Sequence, residues 1–191
     1  MKFEEIKNWL RQGERRRQVI IKLKQPMTAL QLSKHTGMPL DCCSYVLNEL
    51  SLYKLLKCMN PQSKRSRLYW LTNMGRQCQK ELLKENDLPG IAYDFPNVDW
   101  ELYGWICYSH RAAIIRALTE PLQPAAIKRR AKLRNPDLKM SANNVRDVIK
   151  LFLQKGIVEP VKDRKKAHLK YELTELGEKL QNLLMESGVC Y

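Results

Sequence analysis

Residues 69–78 read YWLTNMGRQC, and residues 171–180 read YELTELGEKL. Both spell Tyr-x-Leu-Thr-x-x-Gly, 102 positions apart. A threonine ahead of an apolar-periodic run is a helix N-cap, because its hydroxyl accepts a hydrogen bond from a backbone N–H of the first turn. Each phrase therefore predicts an extended segment ending where a helix begins. A phrase written twice at a fixed spacing points to an internal repeat.

The repetition continues upstream. With Pro26 aligned on Pro121, an offset of 95, Val19, Ile20, Leu23 and Leu32 fall on Ile114, Ile115, Leu118 and Ile127. Nearer the repeated phrase the offset becomes 102, and Cys43, Leu47, Leu50, Leu55 and Leu56 fall on Val145, Ile149, Phe152, Ile157 and Val158. Copy two thus carries seven more residues, within KRRAKLRNPDLKM, where Asn135-Pro136-Asp137 signals a turn.

Each copy reads in one order. An apolar-faced helix ends at a proline. A short second helix follows, Ala29 to His35 or Pro124 to Leu133, then a turn. A third helix runs from about Leu40 to Tyr53 and from about Ser141 to Lys155, with Asp41 and Ser141 as expected N-caps. Two short apolar segments around a basic tip then predict a β-hairpin, and a closing helix follows Thr72 or Thr174. The expected fold class is mainly α with small β-hairpin wings. The expected organisation is one domain over 1–88, a linker over 89–98 punctuated by Pro89-Gly90 and Pro96, and a second domain over 99–191.

The stretches MTALQLSKHTGMPLDCCSYVLNELSLYKLLKCMN with RLYWLTNMGRQCQKEL, and PAAIKRRAKLRNPDLKMSANNVRDVIKLFLQKGIVEPV with KYELTELGEKL, resemble MarR/ArsR-like winged-helix regulators. Such chains often end in leucine-threonine-x-x-glycine. The resemblance implies two winged helix-turn-helix domains in tandem and binding to double-stranded DNA. Copy one departs from it by having Tyr53-Lys54 where many relatives have glycine; copy two keeps Gly156.

Composition is compatible with that reading. The 191 residues are 44% hydrophobic, enough for packed cores, and carry 34 Lys+Arg against 20 Asp+Glu, a formal charge of +14. A basic balance suits a polyanion partner such as nucleic acid. No apolar run predicts a membrane span, and MKFEEIKNWL does not read as a signal peptide, so a cytoplasmic location is expected, on the nucleoid if the source is bacterial or archaeal. The six cysteines form no Cys-x-x-Cys pair and the three histidines are scattered, which predicts no metal site and no cofactor. No Gly-rich phosphate loop, His-Glu-x-x-His or Gly-x-Ser-x-Gly points to catalysis, and the chain is expected not to be an enzyme.

In this architecture the third helix enters the major groove, where Asn pairs with adenine and Arg with guanine. In copy two the outward residues are Ser141, Asn143, Asn144, Arg146 and Lys150; Ser and Asn there also suit a plain helix cap. Phosphate contacts are expected from Lys128, Arg129, Arg130, Lys132 and Arg134, and from Arg164, Lys165, Lys166 and His168 at the hairpin tip. In copy one the candidates are Ser44, Tyr45 and Asn48 on the helix and Lys64, Arg65 and Arg67 on the wing, with the helix equally suited to a protein partner. The aromatic segment around Trp100 and Trp105 reads as packing onto a domain core, or as a seam for a homodimer or protein partner.

The expected activity is sequence-specific duplex binding in transcriptional regulation, with the two third helices in successive major grooves roughly 34 Å apart on an asymmetric site. The alternatives are a plasmid or phage replication initiator, a protein-interaction module of a chromosome or transcription complex, RNA binding, and a redox-responsive variant using Cys42-Cys43.

Overall fold

The structure is a computed structural model that describes residues 3–93, 97–161 and 169–187. It is mainly helical with two small antiparallel sheets. The chain divides into two compact units, Met1–Trp105 and Ile106–Tyr191.

The first unit runs α1 (Phe3–Arg11), α2 (Glu14–Lys22), β1 (Met27–Thr28), α3 (Ala29–Thr36), α4 (Leu40–Leu52), β2 (Leu56–Cys58), β3 (Leu68–Leu71), α5 (Asn73–Glu85) and α6 (Trp100–Ile106), whose last residue lies past the division. Helix α3 starts on a capping box, in which Thr28 and Gln31 each satisfy the other's backbone N–H, and ends at Gly37 in the left-handed region, φ +73°. Helix α4 begins after Pro39, so Asp41 lies in its first turn rather than at the cap expected from the sequence. Val19, Ile20, Leu32, Cys43, Leu47, Leu50, Leu55 and Leu71 form the core. The sheet order is β1-β3-β2, with Met27 opposite Tyr69 and Leu56 opposite Leu71.

The second unit runs α7 (Ser109–Ala117), α8 (Pro124–Arg134), α9 (Ala142–Gln154), β4 (Val158–Val161), β5 (Lys170–Leu173) and α10 (Glu175–Glu186). Pro124 opens α8, where its missing N–H costs nothing. Ile114, Ile115, Ile127, Val145, Ile149, Phe152, Ile157 and Leu180 are fully buried or nearly so. A single bridge, Leu122 with Tyr171, takes the place of β1.

The two units repeat specific bonds as well as element order. Thr72 and Thr174 each accept from a glycine N–H, of Gly75 and Gly177, and each donates to the residue two positions before the first hairpin strand, Lys54 O at 2.7 Å ahead of β2 and Gly156 O at 2.6 Å ahead of β4. A Cβ on Gly75 would collide with the carbonyl oxygen of Leu55, and one on Gly177 with that of Ile157. Gln79 donates to Ile20 O and Leu23 O, while Gln181 donates to Ile115 O and Leu118 O. The Met27–Tyr69 pair corresponds to the Leu122–Tyr171 bridge. Lys54 and Gly156 share a left-handed backbone, φ +58° and +65°. In each unit three helices, a hairpin and a closing helix follow in an order compatible with a winged helix-turn-helix.

The division of the chain falls later than the linker expected from the sequence. Residues 99–105 lie in the first unit, where α6 holds the hairpin down. Glu101 accepts from Gln62 N at 3.1 Å and Ser63 Oγ at 2.7 Å, Tyr103 is buried with its hydroxyl 3.3 Å from Gln31 Nε2, and Gly104 leaves room for Asn60. Trp100 packs edge-on against Tyr103, at 5.9 Å between centroids, and Trp100 and Trp105 are half-buried. These contacts pack Trp100, Glu101 and Tyr103 within the first unit.

Candidate nucleic-acid interface

Helix α9 buries Val145, Val148, Ile149 and Phe152 and leaves Asn143, Arg146, Asp147 and Lys150 exposed. Arg146 Nη1 lies 3.3 Å from Asn143 Oδ1, so an amide and a guanidinium stand together one turn into the helix. Ser141 and Asn144 are used differently. Ser141 Oγ accepts from Asn144 N at 3.1 Å, and Asn144 Oδ1 accepts from Ser141 N at 2.8 Å. Those two side chains close a capping box and satisfy N–H groups that a helix start would leave open.

Helix α8 divides its cations in the same way. Arg130 bonds to Ala117 O, Thr119 Oγ1 and Glu120, and Arg134 bonds to Arg116 O. Both guanidiniums therefore sit at the carbonyl end of α7, where a positive charge is favoured by the helix dipole. Lys128, Arg129 and Lys132 make no ion pair among the described residues, and Arg129 and Lys132 are exposed. The hairpin-tip candidates Arg164, Lys165, Lys166 and His168 lie outside the described residues.

In the first unit the third helix, α4, exposes Asp41, Tyr45, Asn48 and Leu52, positions that share one face at helical spacing. Tyr45 is 68% exposed and Leu52 81%. Ser44 bonds back to Leu40 O at 2.9 Å, and Asn48 Oδ1 accepts from Tyr69 Oη at 3.2 Å. Lys64, Arg65 and Arg67 are exposed on the wing, where Arg67 Nε bonds Ser63 O, and the Glu101 carboxylate sits on the same turn. The run Arg15-Arg16-Arg17 is largely engaged: Arg16 pairs with Glu49 at 3.1 Å and stacks on Trp9, and Arg17 pairs with Glu14.

The cysteines Cys42, Cys43, Cys58, Cys78 and Cys107 are free thiols. Burial raises the Cys43 thiol above its ordinary value and pushes Cys78 up to about 11, which disfavours the thiolate that redox chemistry needs. Among the described residues no group of three His, Cys, Asp or Glu could hold a metal ion, and no helix is long and apolar enough to cross a membrane.

The sequence reading missed two features. One is the Glu101 carboxylate on the first wing, since its partners lie 38 and 39 residues away. The other is a row of cations on α5, Arg76, Lys80 and Lys84, whose four-residue spacing was visible but lies outside the helix-turn-helix elements.

No family model matches the chain, and no curated protein matches it. One solved structure, described as "GAS PerR-Zn-Zn", aligns over 61% of this chain and 77% of its own, at 14% identity and a TM-score of 0.29, a level that does not establish a shared fold.

Proposed function

We propose that the chain is a double-stranded-DNA-binding protein built from two winged helix-turn-helix units in one polypeptide, resembling the MarR/ArsR-like regulators and acting in transcription. Helix α9 is the principal reader. The observation that carries this reading is the composition of the exposed face of α9, with Asn143, Arg146 and Lys150, together with Lys128, Arg129 and Lys132 on α8, the helix packed against it. Asn and Arg match base edges in the major groove, and flanking cations match phosphates. Affinity then arises mainly from counterion release and selectivity from α9.

Selection of duplexes from a random pool, followed by salt titration of the winners, tests this. Enrichment of an asymmetric sequence is expected, with log K falling steeply as log salt rises. Replacing Lys128, Arg129 and Lys132 by Ala should lower the slope by about 0.9 for each phosphate no longer neutralised. A pool that stays random, binding insensitive to salt, or a preference for structured RNA would reject the reading.

A second reading concerns the first unit alone. Its exposed α4 face has Tyr45 and Leu52 and no cation, which favours a protein contact over a duplex at that helix.

A further inference from the structure

After α5 the chain reverses at Asp87, which adopts φ +51°, and Leu88 N bonds Leu83 O at 2.9 Å. It then returns along the helix to Tyr93. There the phenol donates to Gln79 Oε1, the same buried glutamine whose amide grips Ile20 O and Leu23 O. The Tyr93 ring meets Trp70 edge-on at 5.6 Å, and the Arg76 guanidinium lies 6.0 Å from its centre. Between helix and strap lies an open cavity of about 630 Å³, within the size range of small-molecule sites.

Its two sides differ in chemistry. Leu83, Leu88, Ile91 and Tyr93 supply an apolar wall, and Arg76, Lys80 and Lys84 supply three positive charges. No carboxylate is among the described residues that line it. The acids of α5 are engaged elsewhere: Glu81 pairs with Lys7 at 3.1 Å and Glu85 pairs with Arg11. Like charges four residues apart on a helix repel, so the row needs a reason. The scaffold does not require it, because the matching positions on α10 are Glu178, Asn182 and Glu186.

We propose that this cavity binds an amphipathic monocarboxylate, with its carboxylate on Arg76, Lys80 and Lys84 and its apolar body against Leu83, Leu88, Ile91 and Tyr93. A polyphosphate backbone would satisfy the cations but leave the apolar wall idle. The cavity belongs to the first unit, and its occupancy does not depend on the protein binding DNA.

Calorimetric titration of the full chain with octanoate, octanol and octylammonium, each below its micellar range, tests the proposal without nucleic acid. Octanoate should bind one-to-one and at least about tenfold more tightly than octanol, and octylammonium should not bind. Lys80→Gln with Lys84→Gln, both exposed, should not lower thermal stability, since it relieves that repulsion along α5, and should bring octanoate close to octanol. The proposal is overturned by equal affinity for the three probes, by no octanoate binding up to millimolar concentration, or by a double variant that binds octanoate like the parent. It also falls if that variant weakens duplex binding while octanoate affinity is untouched.

Discussion

Helices α4 and α9 occupy the same place in their units but carry different surfaces. Asp41, Ser44, Tyr45, Asn48 and Leu52 on α4 correspond to Asn143, Arg146, Asp147, Lys150 and Gln154 on α9. Inward, Cys43, Leu47 and Leu50 correspond to Val145, Ile149 and Phe152, and all six are buried. The buried positions are held to one apolar pattern by packing, whereas the exposed ones are free to diverge. The comparison separates the residues that set the scaffold from those whose surface chemistry differs between the copies.

The largest effect should appear where the units agree. Gly75→Ala and Gly177→Ala each drive a Cβ into a backbone carbonyl oxygen, and each should destabilise its own unit by about 3 kcal/mol. Denaturant titration checks this; a loss in only one unit would mean that the helix-to-strand approach is not shared.

A smaller effect should appear where they disagree. Arg146→Ala with Lys150→Ala should weaken binding to a selected duplex by about 2 kcal/mol and relax its base preference. Tyr45→Ala with Leu52→Ala should change it less than about twofold, if a Tyr and a Leu contribute no charge to counterion release. Fluorescence anisotropy with both variants decides the matter, and equal losses would place α4 on the duplex as well.

Next come Lys54 and Gly156, which share one left-handed turn. Lys54→Gly should stabilise the first unit by about 1 kcal/mol, and Gly156→Ala should destabilise the second by about the same amount, because only glycine adopts that backbone without a Cβ penalty. Thermal melts of the two variants should therefore shift in opposite directions.

The smallest effect belongs to α1, which among the described residues has no counterpart in the second unit. Arg11 holds the Glu85 carboxyl below its ordinary 4.5. A depressed carboxylate contributes stability above its unfolded value, and that contribution is lost as pH falls through the folded one. The pair is solvent-screened, so Glu85→Gln should lower Tm at pH 7 by only about 1–2 °C, and the difference from the parent should shrink as pH falls through the acid range.

Much of the scaffold was legible because it depends on single residues with single uses. Thr72 and Gly75 announce a helix start beside a close backbone approach, and few other residues can serve there. The site was less legible because its residue types serve two purposes. Ser141 and Asn144 read first as base readers and second as a cap, and only their reciprocal bonds show the cap. Arg130 and Arg134 look like their neighbours in KRRAKLR, yet bond to the end of α7. The place where the chain divides was hidden because the aromatic spacing of 99–107 suits either neighbour, while the bonds of Glu101 and Tyr103 reach far back in sequence.

The clasp between the repeated threonine-glycine phrase and the turn leading into the hairpin involves neither α4 nor α9. A search keyed to that phrase would therefore gather chains by architecture and stay blind to what each one holds. Under the proposed function, sorting such chains by partner would use the exposed positions of the third helix instead, where two copies inside this one polypeptide already differ.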